Sequence, residues 1–137
     1  MALSFIIVDD SELDCFIAKK IIGHTDRSIH VDTFQIASEA LDFIKTEIPA
    51  RTDENKTVLL LDLQMPLMNG FQFVEEFEKM PSDIQQKVLV VILSSTRNSN
   101  DILRIFTYKS VHSLMEKPLT NEKLITLIRQ ASANPLA

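Results

Sequence analysis

Three carboxylates, one hydroxyl and one ammonium occupy matching positions along the chain, each just after a short apolar run. They are Asp9 and Asp10 after LSFIIV, Asp62 after VLLL, Ser94 after VLVVIL, and Lys117 after VHSLM and one glutamate. Clustered carboxylates repel one another unless a cation is present, and their oxygens are ligands that suit Mg²⁺. A carboxylate beside such a metal can attack phosphorus and form an aspartyl phosphate. A lysine and a hydroxyl can bind the phosphoryl oxygens, so the set predicts phosphoryl chemistry if the fold brings it together.

Each of these residues alone has a common structural explanation. An Asp-Asp pair after a strand often caps a helix, and a serine in that place usually belongs to a turn. A Lys-Pro pair is usually a surface feature. The functional interpretation therefore depends on the shared position of all five residues and on their compatible chemistry.

The apolar runs alternate with amphipathic segments, a pattern that predicts five strands and five helices. The predicted strands are Leu3–Val8, Ile29–Phe34, Val58–Leu61, Val88–Leu93 and Val111–Met115, and the predicted helices are Ser11–Ile22, Ser38–Thr46, Phe71–Met80, Asp101–Lys109 and Thr120 to about Ala133. Strands this apolar favour a parallel sheet with helices on both faces. Ligands of such sheets bind outside the carboxyl ends of the strands, so the five polar residues are expected to meet there.

Some local signals refine these elements. Ser11 followed by Asp14 predicts a capping box at the first helix, and Gly23 predicts the end of that helix. The mixed strand Ile29–Phe34 indicates a sheet edge. The polar segment Pro49–Lys56 predicts an exposed loop.

Composition narrows the class of protein. The chain has 137 residues, which fits one domain, and its net charge of −5 argues against a nucleic-acid groove. The single cysteine, Cys15, excludes an internal disulfide and is predicted to be a small buried side chain. With no apolar run of membrane-spanning length and no sign of a signal peptide, a cytoplasmic protein is expected.

The sequence resembles the CheY-like receiver domain of two-component signalling from Leu3 to about Ala133. The matching features are Asp9-Asp10 after the first strand, Asp62 in LLLDLQMPLMNG, Met65–Gly70 against the family's M-P-x-M-D-G, Ser94 at its Thr/Ser position, Lys117-Pro118 at its Lys-Pro, and Glu39-Ala40-Leu41. The resemblance implies one receiver domain over residues 1–137. It also implies a flavodoxin-like (βα)₅ fold, a doubly wound five-stranded parallel sheet in the order 2-1-3-4-5.

The resemblance also implies roles for the residues at the strand ends. Asp62 becomes the phosphoacceptor, and Asp10 and Asp62 ligate Mg²⁺ directly together with the backbone carbonyl of Gln64. Asp9 acts mainly through a water on the metal. Ser94 and Lys117 contact the phosphoryl group, and the Lys117-Pro118 peptide bond is cis.

A receiver of this kind is expected to be a signalling protein rather than an enzyme. The phosphodonor is expected to be a sensor histidine kinase or a histidine phosphotransfer protein. The signal leaves through a surface formed by Asp101–Lys109, Val111–Met115 and the last helix, toward another protein or a second copy of the chain. On that surface Ile102, Ile105 and Phe106 are predicted to be core residues. Tyr108 is the predicted contact residue.

The sequence departs from the family at positions outside the acidic set. Leu114 stands where the family usually has Tyr or Phe, which leaves the family's aromatic switch without its ring. Ser95 replaces a usual alanine, Ser110 replaces a usual glycine, and Pro49–Lys56 lengthens the connection before the third strand.

Three alternatives remain open at this point. A phosphatase of the haloacid-dehalogenase type also uses an Asp nucleophile and Mg²⁺, but it needs a D-x-D pair, and here Leu63 and Gln64 follow Asp62. A degenerate receiver could bind partners without accepting phosphate. The chain could also be a receiver fragment of a larger regulator with an output domain.

Overall fold

Five parallel strands form one sheet in the computed structural model, which describes residues 2–52 and 55–133. The strands are β1 (Ala2–Val8), β2 (His30–Phe34), β3 (Asn55–Asp62), β4 (Val88–Ser94) and β5 (Val111–Glu116). Their order is β2-β1-β3-β4-β5, and every neighbouring pair is parallel. The predicted fold class, strand order and edge position of β2 are therefore confirmed.

Helices cover both faces of this sheet. They are α1 (Glu12–Thr25), α2 (Ala37–Glu47), α3 (Gly70–Phe77), α4 (Ser82–Gln86), α5 (Ser99–Ile105) and α6 (Asn121–Ala133). Within the described part of the chain, no helix has the length and apolar character needed to cross a bilayer.

The alternation of side chains along a strand divides the core in two. In β3, Leu59 and Leu61 join the cluster formed with α2, α3 and α5, whereas Val58 and Leu60 join the cluster formed with α1 and α6. Strand β3 is the middle strand of the sheet and is buried on both faces. Its last residue, Asp62, therefore lies at the centre of the row of carboxyl strand ends.

The ends of several helices differ from the sequence prediction, and α3 ends at Phe77 rather than at Met80. Helix α1 does not end at Gly23 but continues to Thr25, where the Asp26 amide donates to the Ile22 carbonyl at 2.9 Å. A glycine inside a helix costs only about 1 kcal/mol, so it does not by itself end one. Helix α5 ends at Ile105 rather than at Lys109, and α4 was not predicted.

The segment Pro49–Lys56 is only partly the exposed loop that its polarity predicts. The Arg51 guanidinium donates to Ser4 Oγ at 2.7 Å and to Thr57 Oγ1 at 2.8 Å, so this side chain is half-buried. Strand β3 begins at Asn55. Residues 53 and 54 lie outside the described residues.

Two large apolar residues of α1 face solvent, while the face toward the sheet carries Cys15 and Ala18 together with Ile22. Leu13 and Phe16 are 65% and 58% exposed, while Cys15, Ala18 and Ile22 are buried. Small side chains let the helix backbone approach the strands closely. The burial predicted for Cys15 is confirmed.

The prediction that Phe106 is a core residue is wrong. Phe106 is 58% exposed and Leu103 is 69% exposed, whereas Ile105 is buried as predicted and Ile102 is half-buried. The helical spacing behind that prediction stops applying after Ile105, where α5 ends. Tyr108, predicted to be more exposed than Phe106, is half-buried.

Candidate functional site

Three carboxylates converge at the carboxyl ends of β1 and β3. Val8 pairs with Leu61 in the β1–β3 ladder, so Asp9 and Asp62 follow at neighbouring strand ends. One carboxylate oxygen from each of Asp9, Asp10 and Asp62 lies within 4.8 Å of the others. Asp9 and Asp62 are 4% and 7% exposed, and Asp10 faces solvent. This donor set, two buried carboxylates and one accessible carboxylate, suits a hard divalent cation.

Lys117 lies against the same carboxylates. Its Nζ is 2.9 Å from Asp9 Oδ2, 3.1 Å from Asp14 Oδ2 and 3.4 Å from Asp62 Oδ1. Burial alone lowers the pKa of the Lys117 ammonium, but its contacts with these carboxylates outweigh that effect and raise the pKa above its ordinary value. The lysine therefore stays charged and is the fixed cation of the site.

The carboxylate of Asp62 takes up a proton more readily than an ordinary aspartate. Burial, and then the negative charge of Asp9, raise the pKa of Asp62 to about 6, although Lys117 and a backbone hydrogen bond from Gln64 act in the opposite direction. One ammonium does not offset three carboxylates in a partly desolvated pocket. The pocket therefore favours an additional cation.

Ser94 lies beside Asp62 on the neighbouring strand. Leu93 pairs with Asp62 in the β3–β4 ladder, and Ser94 follows as the last residue of β4, 3% exposed. Its hydroxyl oxygen accepts a hydrogen bond from the Thr96 amide at 3.1 Å, and its carbonyl accepts one from the Lys117 amide at 2.9 Å. The backbone therefore connects the predicted hydroxyl and ammonium, and the Lys117-Pro118 bond is cis as the resemblance implies.

The loop after Asp62 turns back tightly, which explains the glycine of the motif MPLMNG. The Gly70 amide donates to the Leu63 carbonyl at 2.8 Å, and Asn69 caps α3 reciprocally with Gln72. A Cβ at Gly70 would lie 2.8 Å from Leu63 Cα and 2.9 Å from the Asp62 carbonyl oxygen. Only glycine allows the start of α3 to approach the end of β3 this closely.

Asp14 is a site residue that the sequence interpretation assigned to another role. The Asp14 amide does donate to Ser11 Oγ at 3.1 Å, as a helix cap predicts, but the Asp14 carboxylate contacts Lys117. The available signal was its position in the first turn of α1, directly after the acidic pair. Spacing along the helix does not show which neighbour that carboxylate meets.

Away from the pocket, a polar and aromatic cluster connects α5 to α3. Tyr108 donates its hydroxyl to Glu75 at 2.6 Å, and the Arg104 guanidinium lies 4.1 Å from the centre of the Phe71 ring. Leu114 is half-buried and packs against the core cluster on this face of the sheet. Tyr108 therefore has partners within the chain, and Leu103 and Phe106 are the more accessible apolar side chains.

Known proteins of one family are similar to this chain in sequence. Residues 5–129 match the model of the response regulator receiver domain. Two-component response regulator 24 of Arabidopsis thaliana is 27% identical to the chain over 128 residues, which are 93% of this chain and 83% of that protein. Stress response regulator protein 1 of Lodderomyces elongisporus is 28% identical over 121 residues, 88% of this chain but 30% of that longer protein.

Solved structures show the same similarity. A response regulator receiver protein from Dyadobacter fermentans is 32% identical, with a TM-score of 0.82 over 96% of this chain and 98% of that one. A two-component response regulator from Cytophaga hutchinsonii also has a TM-score of 0.82, over 96% and 97% of the two chains, and at 22% identity it shows the shared fold alone.

Proposed function

The chain belongs to the response regulator receiver domain family, and we propose that it accepts a phosphoryl group on Asp62 and transmits its presence by protein contacts. The observation that carries this proposal is the pocket of Asp9, Asp10, Asp62 and Lys117. Three carboxylates and one ammonium converge there at the end of the central strand.

Asp62 is the proposed nucleophile. A carboxylate oxygen attacks phosphorus of a donor phosphohistidine, a phosphorus–oxygen bond forms, and the phosphorus–nitrogen bond breaks. The bonding electrons remain on the imidazole nitrogen, which then takes a proton from solvent. The product is a mixed carboxylic–phosphoric anhydride on Asp62.

The acidic residues fit Mg²⁺ as the cofactor of this reaction. Asp10 and Asp62, with the backbone carbonyl of Gln64, would hold the ion, and Asp9 would support it through a water. When bound, Mg²⁺ would offset the negative charge of the carboxylates and of the phosphoryl oxygens. The raised pKa of Asp62 supports this assignment, because burial and then the charge of Asp9 disfavour the carboxylate, and a bound cation would counter both effects.

Lys117 and Ser94 are the proposed contacts of the transferred group. The Lys117 ammonium is already 3.4 Å from the carboxylate that would carry the phosphoryl group, and it can donate to a phosphoryl oxygen. The Ser94 hydroxyl lies at the neighbouring strand end and provides a second donor. Because the Thr96 amide donates to this hydroxyl, a movement of the hydroxyl would also move the 94–97 loop that leads to α5.

The proposed donor is a sensor histidine kinase or a histidine phosphotransfer protein, which places the chain in the cytoplasm with it. The proposed output surface is formed by Asp101–Lys109, β5 and α6, toward another protein or a second copy of the chain. The exposed side chains of Leu103, on α5, and Phe106, directly after it, support this location, since they offer apolar area on the segment that follows Ser94. Coupling would run from Ser94 through the 94–97 loop, because Leu114 has no ring to move.

Labelling with acetyl phosphate and Mg²⁺, followed by intact-mass measurement, tests the proposal. The wild-type protein and the control Asp42→Asn, which changes an exposed carboxyl on α2, are expected to gain one phosphoryl group. Asp62→Asn is expected to gain none, and undiminished labelling of that variant would contradict the assignment. In calorimetric titrations, Asp10→Ala is expected to bind Mg²⁺ more weakly than the wild type, and unchanged affinity would count against its role as a ligand.

A further inference from the structure

The carboxylate of Asp14 is not needed for the helix cap that its position predicts. In a capping box, the side chain three residues after the cap accepts a hydrogen bond from the cap residue's own amide. Here Asp9 Oδ1 already accepts from the Ser11 amide at 2.9 Å. The Asp14 carboxylate is therefore available for another contact, and it meets Lys117 Nζ at 3.1 Å.

Lys117 has as many carboxylate partners as it has donors. An ammonium has three N–H groups, and the carboxylates of Asp9, Asp14 and Asp62 all lie within 3.4 Å of its nitrogen. Asp9 and Asp62 belong to the group of three carboxylates with Asp10, and their oxygens are proposed to support Mg²⁺ or to accept the phosphoryl group. Asp14 lies outside that group, on the first turn of α1, and its side chain is 44% exposed.

Resting on the proposed phosphoacceptor function, we propose that Asp14 is a positioning residue, which orients the Lys117 ammonium toward the phosphoryl group arriving at Asp62. A lysine side chain is a flexible four-carbon stem, and Asp14 is the carboxylate contact of Lys117 that has no other role in the proposed reaction. The same nitrogen can keep its bond to Asp14 while another N–H turns to a phosphoryl oxygen. Without Asp14, the Lys117 ammonium loses the contact on the α1 side of the pocket and can take other orientations toward the remaining carboxylates.

This role predicts a particular kinetic pattern in labelling by acetyl phosphate. Asp14→Ala is expected to lower the maximum rate constant by about three- to tenfold, because Lys117 then meets the transition state less often in the right orientation. The acetyl phosphate concentration at half-maximal rate is not expected to rise, since the variant removes a negative charge near an anionic substrate. Asp14→Asn, which keeps an acceptor oxygen, is expected to fall between the wild type and Asp14→Ala.

A second readout follows Lys117 itself without any reaction. In unphosphorylated, metal-free protein, the ¹⁵Nζ–¹H NMR signal of the Lys117 ammonium is expected to be visible, because its protons are held in hydrogen bonds. The signal is assigned by its disappearance in Lys117→Met. Asp14→Ala is expected to broaden it beyond detection through faster exchange with water.

Glu12→Ala is the matched control. Glu12 is an exposed acidic residue of the same first helical turn, outside the three carboxylates that contact Lys117. Removal of Glu12 therefore repeats the loss of a charge at the helix start. We expect both the labelling rate and the Lys117 signal of this control to match the wild type.

The outcomes separate the two proposals. An unlabelled wild type would end the phosphoacceptor proposal, while the Lys117 signal would still show whether Asp14 positions the lysine. Asp14→Ala with a wild-type maximum rate, or with an unchanged Lys117 signal, would overturn the positioning role. If Asp14→Ala loses its fold by circular dichroism, Asp14→Asn carries the same test, and a rate equal to the wild type in that variant overturns it.

Discussion

Asp62→Asn should make the metal-free protein more stable at neutral pH, because the wild-type carboxylate is held there at a cost. Burial and the charge of Asp9 raise its pKa from 3.8 to about 6. At about 1.4 kcal/mol for each tenfold change in proton affinity, this shift corresponds to roughly 3 kcal/mol as an upper value. This net shift already includes the opposing contact with Lys117, at 3.4 Å, and an asparagine amide does not reproduce every hydrogen bond of the carboxyl group, so a net gain of about 1–2 kcal/mol is expected.

The dependence on pH has a definite sign. A group whose pKa is raised in the folded state favours folding fully below its unfolded-state pKa and loses that contribution as the pH rises through the folded-state value. For Asp62 the loss falls between about pH 4 and about pH 6. The advantage of Asp62→Asn should therefore be small near pH 4.5 and complete above about pH 7.

Urea unfolding in EDTA, followed by circular dichroism at several pH values, measures this difference. Asp42→Asn is the matched control, since it makes the same chemical change at an exposed position of α2 and is expected to leave the stability unchanged. The pKa values of Asp26 and Glu75 lie below the ordinary range, because each carboxylate accepts hydrogen bonds, from Ser28 and from Tyr108 respectively. These two carboxylates therefore stabilise the fold at pH values above their unfolded-state pKa, and this stabilisation is lost only as the pH falls through their lower folded-state pKa. Equal or lower stability of Asp62→Asn near neutral pH would refute the reasoning.

Three further substitutions test the coupling and the packing around the site. Ser94→Ala should leave Asp62 able to accept phosphate but remove the phosphorylation-dependent amide shifts of α5 in NMR spectra, and persistence of those shifts would place the coupling elsewhere. Leu114→Ala should cost about 1–3 kcal/mol in urea unfolding, since the side chain is half-buried, and loss of partner binding with stability intact would make Leu114 an output residue instead. Gly70→Ala should cost about 1–3 kcal/mol, because its Cβ would lie 2.9 Å from the Asp62 carbonyl oxygen, and wild-type stability would contradict that close approach.

The layout of the fold could be predicted from the sequence because it depends on local pattern. Apolar runs such as Val88–Leu93 alternate with amphipathic segments, and the buried face of α2, with Ala40, Leu41 and Ile44, follows from helical spacing. Parallel strands place their carboxyl ends at one edge of the sheet. Because β1 and β3 are neighbours in the strand order, Asp9 and Asp62 must lie close together. The family resemblance supplied that order.

Other features depended on tertiary contacts. In α1, the structure exposes Leu13 and Phe16 and buries the face with Cys15 and Ala18. Periodicity shows which residues share a face, whereas contacts with the sheet and with α6 decide which face is buried. In the same way, Phe106 shared the spacing of its neighbours but lies beyond the end of α5.

Asp14 shows most clearly what the sequence by itself did not determine. Its type and position predicted a cap, and its backbone amide makes that bond to Ser11. The partner of its carboxylate, Lys117, is 103 residues away in the chain. Lys117 reaches Asp14 only because the residue after β5 lies over the carboxyl ends of the central strands, against Asp9 and Asp62, where α1 begins. The sequence determined that Asp9, Asp10, Asp62 and Lys117 line this edge of the sheet, but not that Asp14 joins them. Only the tertiary structure decided which of them pair, because a contact between distant residues depends on the positions of whole elements rather than on local pattern.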